Sequence, residues 1–546
     1  MQGFSRSPNY FKYLIIIVLV LGIFFRLTNL ERKFYWYDET FTSLRVSGYL
    51  ESELLRHLAN AKAISVEDFQ KYQHPNLEKG LVDTVKSLAV EDAQHPPFYY
   101  AIAKFWMQVF GSSITAMRSL PALLSLLAFP CIYWLCLELF ESTSIAWVAV
   151  ALIAVSPFHV LYAQEAREYS LWTVTTLLSS AALLRAMRLK TRISWGIYSL
   201  TLIINLYTFL FSILLFIGHT IYVATIEKFR LNKTLRDYIL ASFLGLLGFL
   251  PWILIVITNL SKINRATAWL ATETPKRDLL RKWLINHVRI FLDLNYTLSG
   301  GLKNLLPTAI SLLFISAVIV YSLYLLCRKT SEQVWLFIFI LIGVTELALI
   351  VPDLFFGGIR ANIPRYFIPS YLGIQLAVAY LLGTKLTSVS VNIWKQKLWQ
   401  LVTIALVSCG VLSCVISSQA ELWWNKANNA DLPGIARIIN QSTRPLLIAN
   451  ADIGDLLSLS YLLNPTKQPQ IKTPCYYNCP KNSQWRVKPY IPKIPESSKD
   501  VFLFNPRPSY QWLNELAKES TYKIEPVSQS YGSYLWKLIN INKSDI

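Results

Sequence analysis

"HPPFYYAIAKFWMQVFG", His95–Gly111, is the stretch on which the threading of the whole chain turns. It is apolar enough to suggest a membrane crossing. Only about 13 residues separate Pro97 from Gly111, however, and a helical crossing needs about 20. Counting it as a crossing would also put the acidic segment 162–172 on the opposite face from Asp38. The stretch therefore reads as an amphipathic helix lying in the membrane interface, with Tyr99, Tyr100 and Trp106 at headgroup depth. On that reading residues 29–114 form one large loop on a single side of the membrane.

The rest of the chain supports a membrane setting. Of 546 residues, 53% are hydrophobic and only 16% charged, and the mean hydropathy is +0.38. Soluble domains carry nearer a quarter charged residues. Apolar runs near 12–28, 115–139, 143–160, 169–187, 194–209, 211–227, 238–259, 305–327, 333–351, 366–384 and 398–417 predict about eleven spans. The first run has no small-residue cleavage site after it, so it reads as a retained span rather than a leader. The formal net charge is +19. Much of it lies in short loops, including Arg185, Arg188, Lys228, Arg230, Arg328, Lys329, Lys395 and Lys397, which the predicted spans place on one side. A membrane orientation with that side cytoplasmic explains the charge better than a nucleic-acid partner. The loop 260–304 is also basic yet falls outside, which fits a side that must hold an anion.

After the last span the chain turns polar. "PLLIAN" (445–450) and "DVFLFN" (500–505) read as buried strands, "SYQWLNELAKES" (509–520) as a helix and "YGSYLWKLI" (531–539) as an alternating strand. Two domains follow: 1–417 in the membrane and 418–546 as a small extracytoplasmic α/β domain. Five of the seven cysteines lie in or at apolar runs, as small core residues do. Cys475 and Cys479, in the polar "CYYNC", suggest a disulfide closing a small loop.

Three clusters fall on the outer face. The first is Asp38 with Glu39 in "FYWYDETFTSL" (34–44), where the first span ends. "DETF" could simply start a helix. The second is "YAQEAREYSLW" (162–172), holding Glu165, Arg167 and Glu168. Capping and a surface ion pair would account for these residues, and Gln164, Arg167 and Glu168 could share one helical face. The third is cationic: His95, Arg118 at the head of the second span, and Arg360 and Arg365 in "GGIRANIPRYFIPSY" (357–371). A charge at a span end is costly unless paired or snorkelling. Together the clusters describe a cleft in which arginine forks meet phosphate oxygens and a carboxylate takes a proton from a hydroxyl.

The order of the apolar runs, with "WYDET", "AQHPPFYYAIAKFW", "YAQEAREYSL" and "PRYFIPSY" in sequence, resembles the GT-C membrane glycosyltransferases. Within them it is similar to glycosyltransferase family 39, the protein O-mannosyltransferases, and to the lipid A aminoarabinose transferases. The likeness covers roughly residues 10–420. It implies a mainly α, polytopic GT-C fold that moves a monosaccharide from a polyprenyl-phosphate carrier to a hydroxyl of a protein, lipid or glycan. It also implies a bacterial inner membrane, with the site facing the periplasm.

The resemblance places the catalytic base at Asp38 and a second catalytic carboxylate, orienting the acceptor or balancing the oxocarbenium-like charge, at Glu165. Carrier-phosphate contacts fall on His95, Arg118 and Arg365, and Glu39, Tyr99, Arg167, Arg360 and Tyr366 complete the expected substrate contacts. The aminoarabinose branch has a lysine before the proline where this chain has His95. A divalent metal between Asp38 and Glu165 stays open, because two carboxylates do not define a site. The rival reading is a flippase for lipid-linked sugars, which would favour inverted repeats and midplane charges. Here the charges gather at one face and no inverted repeat is visible. A scaffold displaying the tail would leave the charged clusters unexplained.

Overall fold

The computed structural model describes residues 9–60, 63–295, 302–387, 393–449, 451–473, 500–505, 522–530 and 533–540. They divide into a helical unit (1–30, 88–102 and 118–419) and a second, sheet-containing unit (31–87, 103–117 and 420–546).

In the helical unit every apolar run expected to cross the membrane is helical. The first is α1, Asn9–Leu27. The later runs become helices that include Tyr169–Leu189, Lys233–Thr258, Leu302–Lys329, Glu332–Phe356, Ile368–Thr387 and Ile393–Gln419. Among the described residues, six helices are long and apolar enough to cross a membrane by length and composition, or seven if one bent pair counts as a single span. Tyr169–Leu189 is less apolar, with Ser and Thr recurring along it and Arg185 and Arg188 near its end. Thr173 donates to the Tyr169 carbonyl at 3.0 Å, and Thr175 to Asn205 Oδ1 at 2.8 Å.

The bent pair corrects one expectation. The run 143–160 is not one helix but Thr143–Ala154 and Pro157–Ala163, bent by 58°. Pro157 has no N–H with which to continue the ladder. The carbonyls freed at the break find Arg26, near the end of α1. Its guanidinium donates to the Ala154 oxygen at 2.5 Å, to Ile153 at 2.9 Å and to Gly22 at 2.8 Å. An arginine 1% exposed in a membrane helix is tolerable because helix C-terminal carbonyls surround it.

The helix Phe98–Phe110 has 13 residues. It is about 20 Å long, short of a 30 Å hydrocarbon core. Its exposed apolar residues are Phe105, Val109 and Phe110. Tyr99 and Tyr100, expected at headgroup depth, are instead 0% and 1% exposed, and Trp106 Nε1 donates to the Ala116 carbonyl at 2.9 Å. The large aromatics that this helix leaves exposed are therefore Phe105 and Phe110.

In the second unit, α2 (Tyr37–Ser47) follows Trp36, whose extended backbone starts the helix. Asp38 and Glu39 in the first turn suit the positive end of the helix dipole. Gly48 ends α2 with φ 91°, a conformation that favours glycine, and its N–H returns to the Arg45 and Leu44 carbonyls. Six strands, β1 to β6 in chain order, are Ile64–Ser65, Leu446–Ala449, Gln470–Lys472, Val501–Asn505, Tyr522–Ser530 and Ser533–Asn540. They form one sheet in the order β1-β3-β2-β4-β6-β5. β2 runs parallel to β3 and β4; the other pairs are antiparallel.

The strands expected at 445–450, 500–505 and 531–539 are thus present. The expected helix at 509–520 and the Cys475–Cys479 pair lie outside the described residues. The tail shares its sheet and its core with the first loop. β1, from the first loop, pairs with the tail strand β3, and Leu44, Leu54, Leu58 and Phe69 share a core with Leu432, Leu456, Leu457 and Phe502. The loop's apolar residues need cover, and an open sheet edge needs a partner.

Candidate active site

Two acidic centres emerge, one in each unit. In the second unit Asp38 and Glu39 are consecutive in α2 but have different surroundings. Glu39, expected to touch substrate, is fully buried. It receives the Lys426 ammonium at 2.7 Å, with both side chains 0% exposed, and accepts the Trp36 N–H at 3.4 Å. The ammonium also sits 5.9 Å and 5.6 Å from the Phe34 and Trp36 ring centroids. Asp38 is half-buried and is the acid of the two with solvent access. Around them Gln73 donates to the Thr40 carbonyl at 2.9 Å, and Lys104 to that of Ser47 at 3.4 Å. Burial lowers the Lys104 pKa from its usual value.

In the helical unit, the segment 164–168 is a turn and not the helix face expected for Gln164, Arg167 and Glu168. Gln164 ends the helix Pro157–Ala163 and turns back to α1, donating to the Phe25 and Thr28 carbonyls at 2.7 and 2.8 Å. Glu168 holds the N-cap position of Tyr169–Leu189, with no capping bond from its side chain. It meets His95 Nδ1 at 2.9 Å and Arg167 Nη2 at 3.2 Å. Arg167 also donates to the Tyr100 hydroxyl at 3.1 Å. Burial would push the Glu168 carboxyl up; Arg167 and His95 outweigh it and hold it at about 2. His95 reaches this pair because Trp252 and Lys262 donate to the Ala93 and Val90 carbonyls at 3.2 and 2.9 Å, pinning the preceding segment.

Glu165 is 1% exposed. The Arg365 guanidinium lies 5.6 Å from the ring centroids of both Tyr169 and Tyr366, and Tyr366 stacks near Phe211 at 4.6 Å. Tyr99 packs edge-on against Tyr100 at 5.6 Å. Arg118 is buried and donates to the Leu30 carbonyl at 2.6 Å, so it supports the chain leaving α1. Arg360 pairs with Asp353 at 2.8 Å, whose other oxygen accepts the Ala361 N–H. Local partners thus occupy groups of Glu39, Arg118 and Arg360 that were expected to meet substrate.

Glu168 and Lys426 were not among the expected site residues. Glu168 stands beside Arg167 in sequence, but Lys426 carries no sequence signal linking it to Glu39. Among the described residues no three His, Cys, Asp or Glu side chains gather to hold a metal ion.

No curated protein matches the sequence. Residues 94–255 match the family described as dolichyl-phosphate-mannose-protein mannosyltransferase. The crystal structure of ArnT from Cupriavidus metallidurans bound to undecaprenyl phosphate shares the fold at TM-score 0.52 and 12% identity, over 97% of this chain and 98% of that one. The fold is GT-C. The apo structure of the same ArnT matches at TM-score 0.51 and 12% identity, with equal coverage. The chain is therefore a polytopic membrane protein, glycosyltransferase-like in architecture. Within the GT-C frame, the family match contains His95, Tyr99, Arg118, Glu165 and Arg167, and stops short of Asp38 on one side and Arg365 on the other.

Proposed function

We propose that this protein transfers a monosaccharide from a polyprenyl-phosphate carrier to a hydroxyl acceptor on the non-cytoplasmic face of a bacterial inner membrane. What carries the reading, on a GT-C fold, is the division of labour in α2. Glu39 is committed to Lys426, while its neighbour Asp38 keeps solvent access.

Asp38 takes the acceptor hydroxyl's proton as that oxygen bonds to the anomeric carbon. The bond from that carbon to the phosphate oxygen breaks, and the polyprenyl phosphate leaves with inversion at carbon. The leaving group needs charge neutralisation more than a proton. Arg365 supplies it; its planar fork, flanked by Tyr169 and Tyr366, suits phosphate oxygens. Glu165 orients the acceptor. The Glu168 cluster holds His95 and Arg167 in place.

Cells deleted for the gene should accumulate one polyprenyl-phosphate sugar and lose one glycoconjugate, both read by mass spectrometry. Asp38→Asn keeps the shape and removes the base, so it should lower the rate by roughly 100-fold or more while still binding polyprenyl phosphate. Full complementation by Asp38→Asn would end the mechanism. Orientation has its own check on a cysteine-free background. A cysteine replacing Val109 should be labelled from outside intact cells, and one replacing Phe229 should not; the reverse pattern would invert the topology.

A further inference from the structure

Asp38 lies between two residues that are both held from the C-terminal segment. On one side, Tyr37 donates its hydroxyl to Asp452 Oδ1 at 2.9 Å. Asp452 also accepts the Gly454 N–H at 3.0 Å, which starts the helix Ile453–Ser460. A Cβ on Gly454 would overlap the Tyr37 and Phe41 rings, so this helix rests its backbone directly on the first turn of α2. On the other side, Glu39 is clasped by Lys426. The two clasps are themselves joined. Asn429, in the turn Trp424–Asn429 that carries Lys426, donates to Asp455 Oδ1 of the same tail helix at 2.7 Å.

Burying a charge pair costs desolvation that well-packed apolar side chains would avoid. Holding α2 in place therefore does not by itself require an ammonium and a carboxylate. What a fixed pair adds is geometry at its own position, next to Asp38. A proton acceptor must be held within about 0.5 Å of its productive place, and an error of about 1 Å can cost a hundredfold in rate.

We propose that Lys426 and Asp452 are positioning residues for Asp38, acting through Glu39 and Tyr37. The segment 424–460 is then part of the transfer machinery rather than an accessory domain. This rests on reading Asp38 as the base.

The test uses purified full-length variants added to membranes from the deletion cells, which supply acceptor and accumulated donor. The initial rate of appearance of the missing glycoconjugate is read beside the melting temperature and the binding of polyprenyl phosphate. The variants are Tyr37→Phe, the doubly neutral Glu39→Gln/Lys426→Met, and Asp38→Asn in parallel. Tyr37→Phe loses one hydroxyl and removes only the first clasp. The double variant removes both charges of the Glu39–Lys426 pair together.

Both clasp variants should melt near the parent and bind polyprenyl phosphate as the parent does, yet transfer about tenfold or more slowly. Parental rates in folded clasp variants, with Asp38→Asn inactive, would overturn the positioning role and leave the base intact. Rates falling only in step with the folded fraction would overturn it too. If the double variant does not fold, Tyr37→Phe decides alone. Full activity in Asp38→Asn would remove the base itself, a different failure.

Discussion

Glu39 and Glu168 are both carboxylates within 1% of full burial, and they are neutralised in opposite ways. Glu39 faces one lysine, 387 positions along the chain, among aromatic rings. Glu168 is shared by a histidine and an arginine, one of them its sequence neighbour. In a pair with both side chains 0% exposed, deleting either partner takes a counter-charge at 2.7 Å away from a group that water does not reach. A shared carboxylate can lose one cation and keep the second. The first arrangement suits a strut and the second suits a cluster whose members adjust to a ligand.

Lys426→Met breaks the strut outright. It should cost about 3–5 kcal/mol, the usual penalty for orphaning a buried charge, and a melt in detergent against the parent measures it. A loss below 1 kcal/mol would erase the contrast. His95→Gln should cost less, about 1–3 kcal/mol, because Arg167 still faces Glu168.

The pH dependence sharpens the point. The Glu168 carboxyl is held at about 2, below its ordinary value of 4.5. Its contribution to stability is therefore present above the unfolded value and is lost as pH falls through the folded one. The difference in melting temperature between Glu168→Gln and the parent should shrink as pH drops from about 4.5 toward about 2. Arg437→Ala removes an exposed partner of Glu421, with side chains 70% and 50% exposed. It should change stability by less than about 1 kcal/mol.

The helices were legible because a run of apolar residues leaves its mark on every window of sequence. The interruption at 155–156 was less so. Pro157 signals a break, but the break is stable because Arg26 covers it from more than 120 residues away. The acidic pair in "YDET" was legible as cap or as chemistry; in the structure Glu39 caps and Asp38 is half-buried. That Glu39 is the fully buried acid depends on Lys426, and no local pattern encodes a partner so distant. The turn at 164–168 is not legible, because helical spacing fits its residues although the end of one helix runs into the start of the next there. Nor is β1, because a two-residue strand, Ile64–Ser65, has no periodicity to read.

That short strand has a consequence for how the protein is made. Ile64 and its neighbours Val66 and Phe69 finish their core with residues beyond Leu432. More than 350 residues therefore leave the ribosome between the two halves of this core. At roughly 5–20 residues per second, the early half waits on the order of 20–70 s, its apolar face uncovered, while the membrane helices are inserted. A nascent chain stalled before Leu432 would thus present an open hydrophobic surface, which makes the first loop the natural client of whatever holdase serves that compartment.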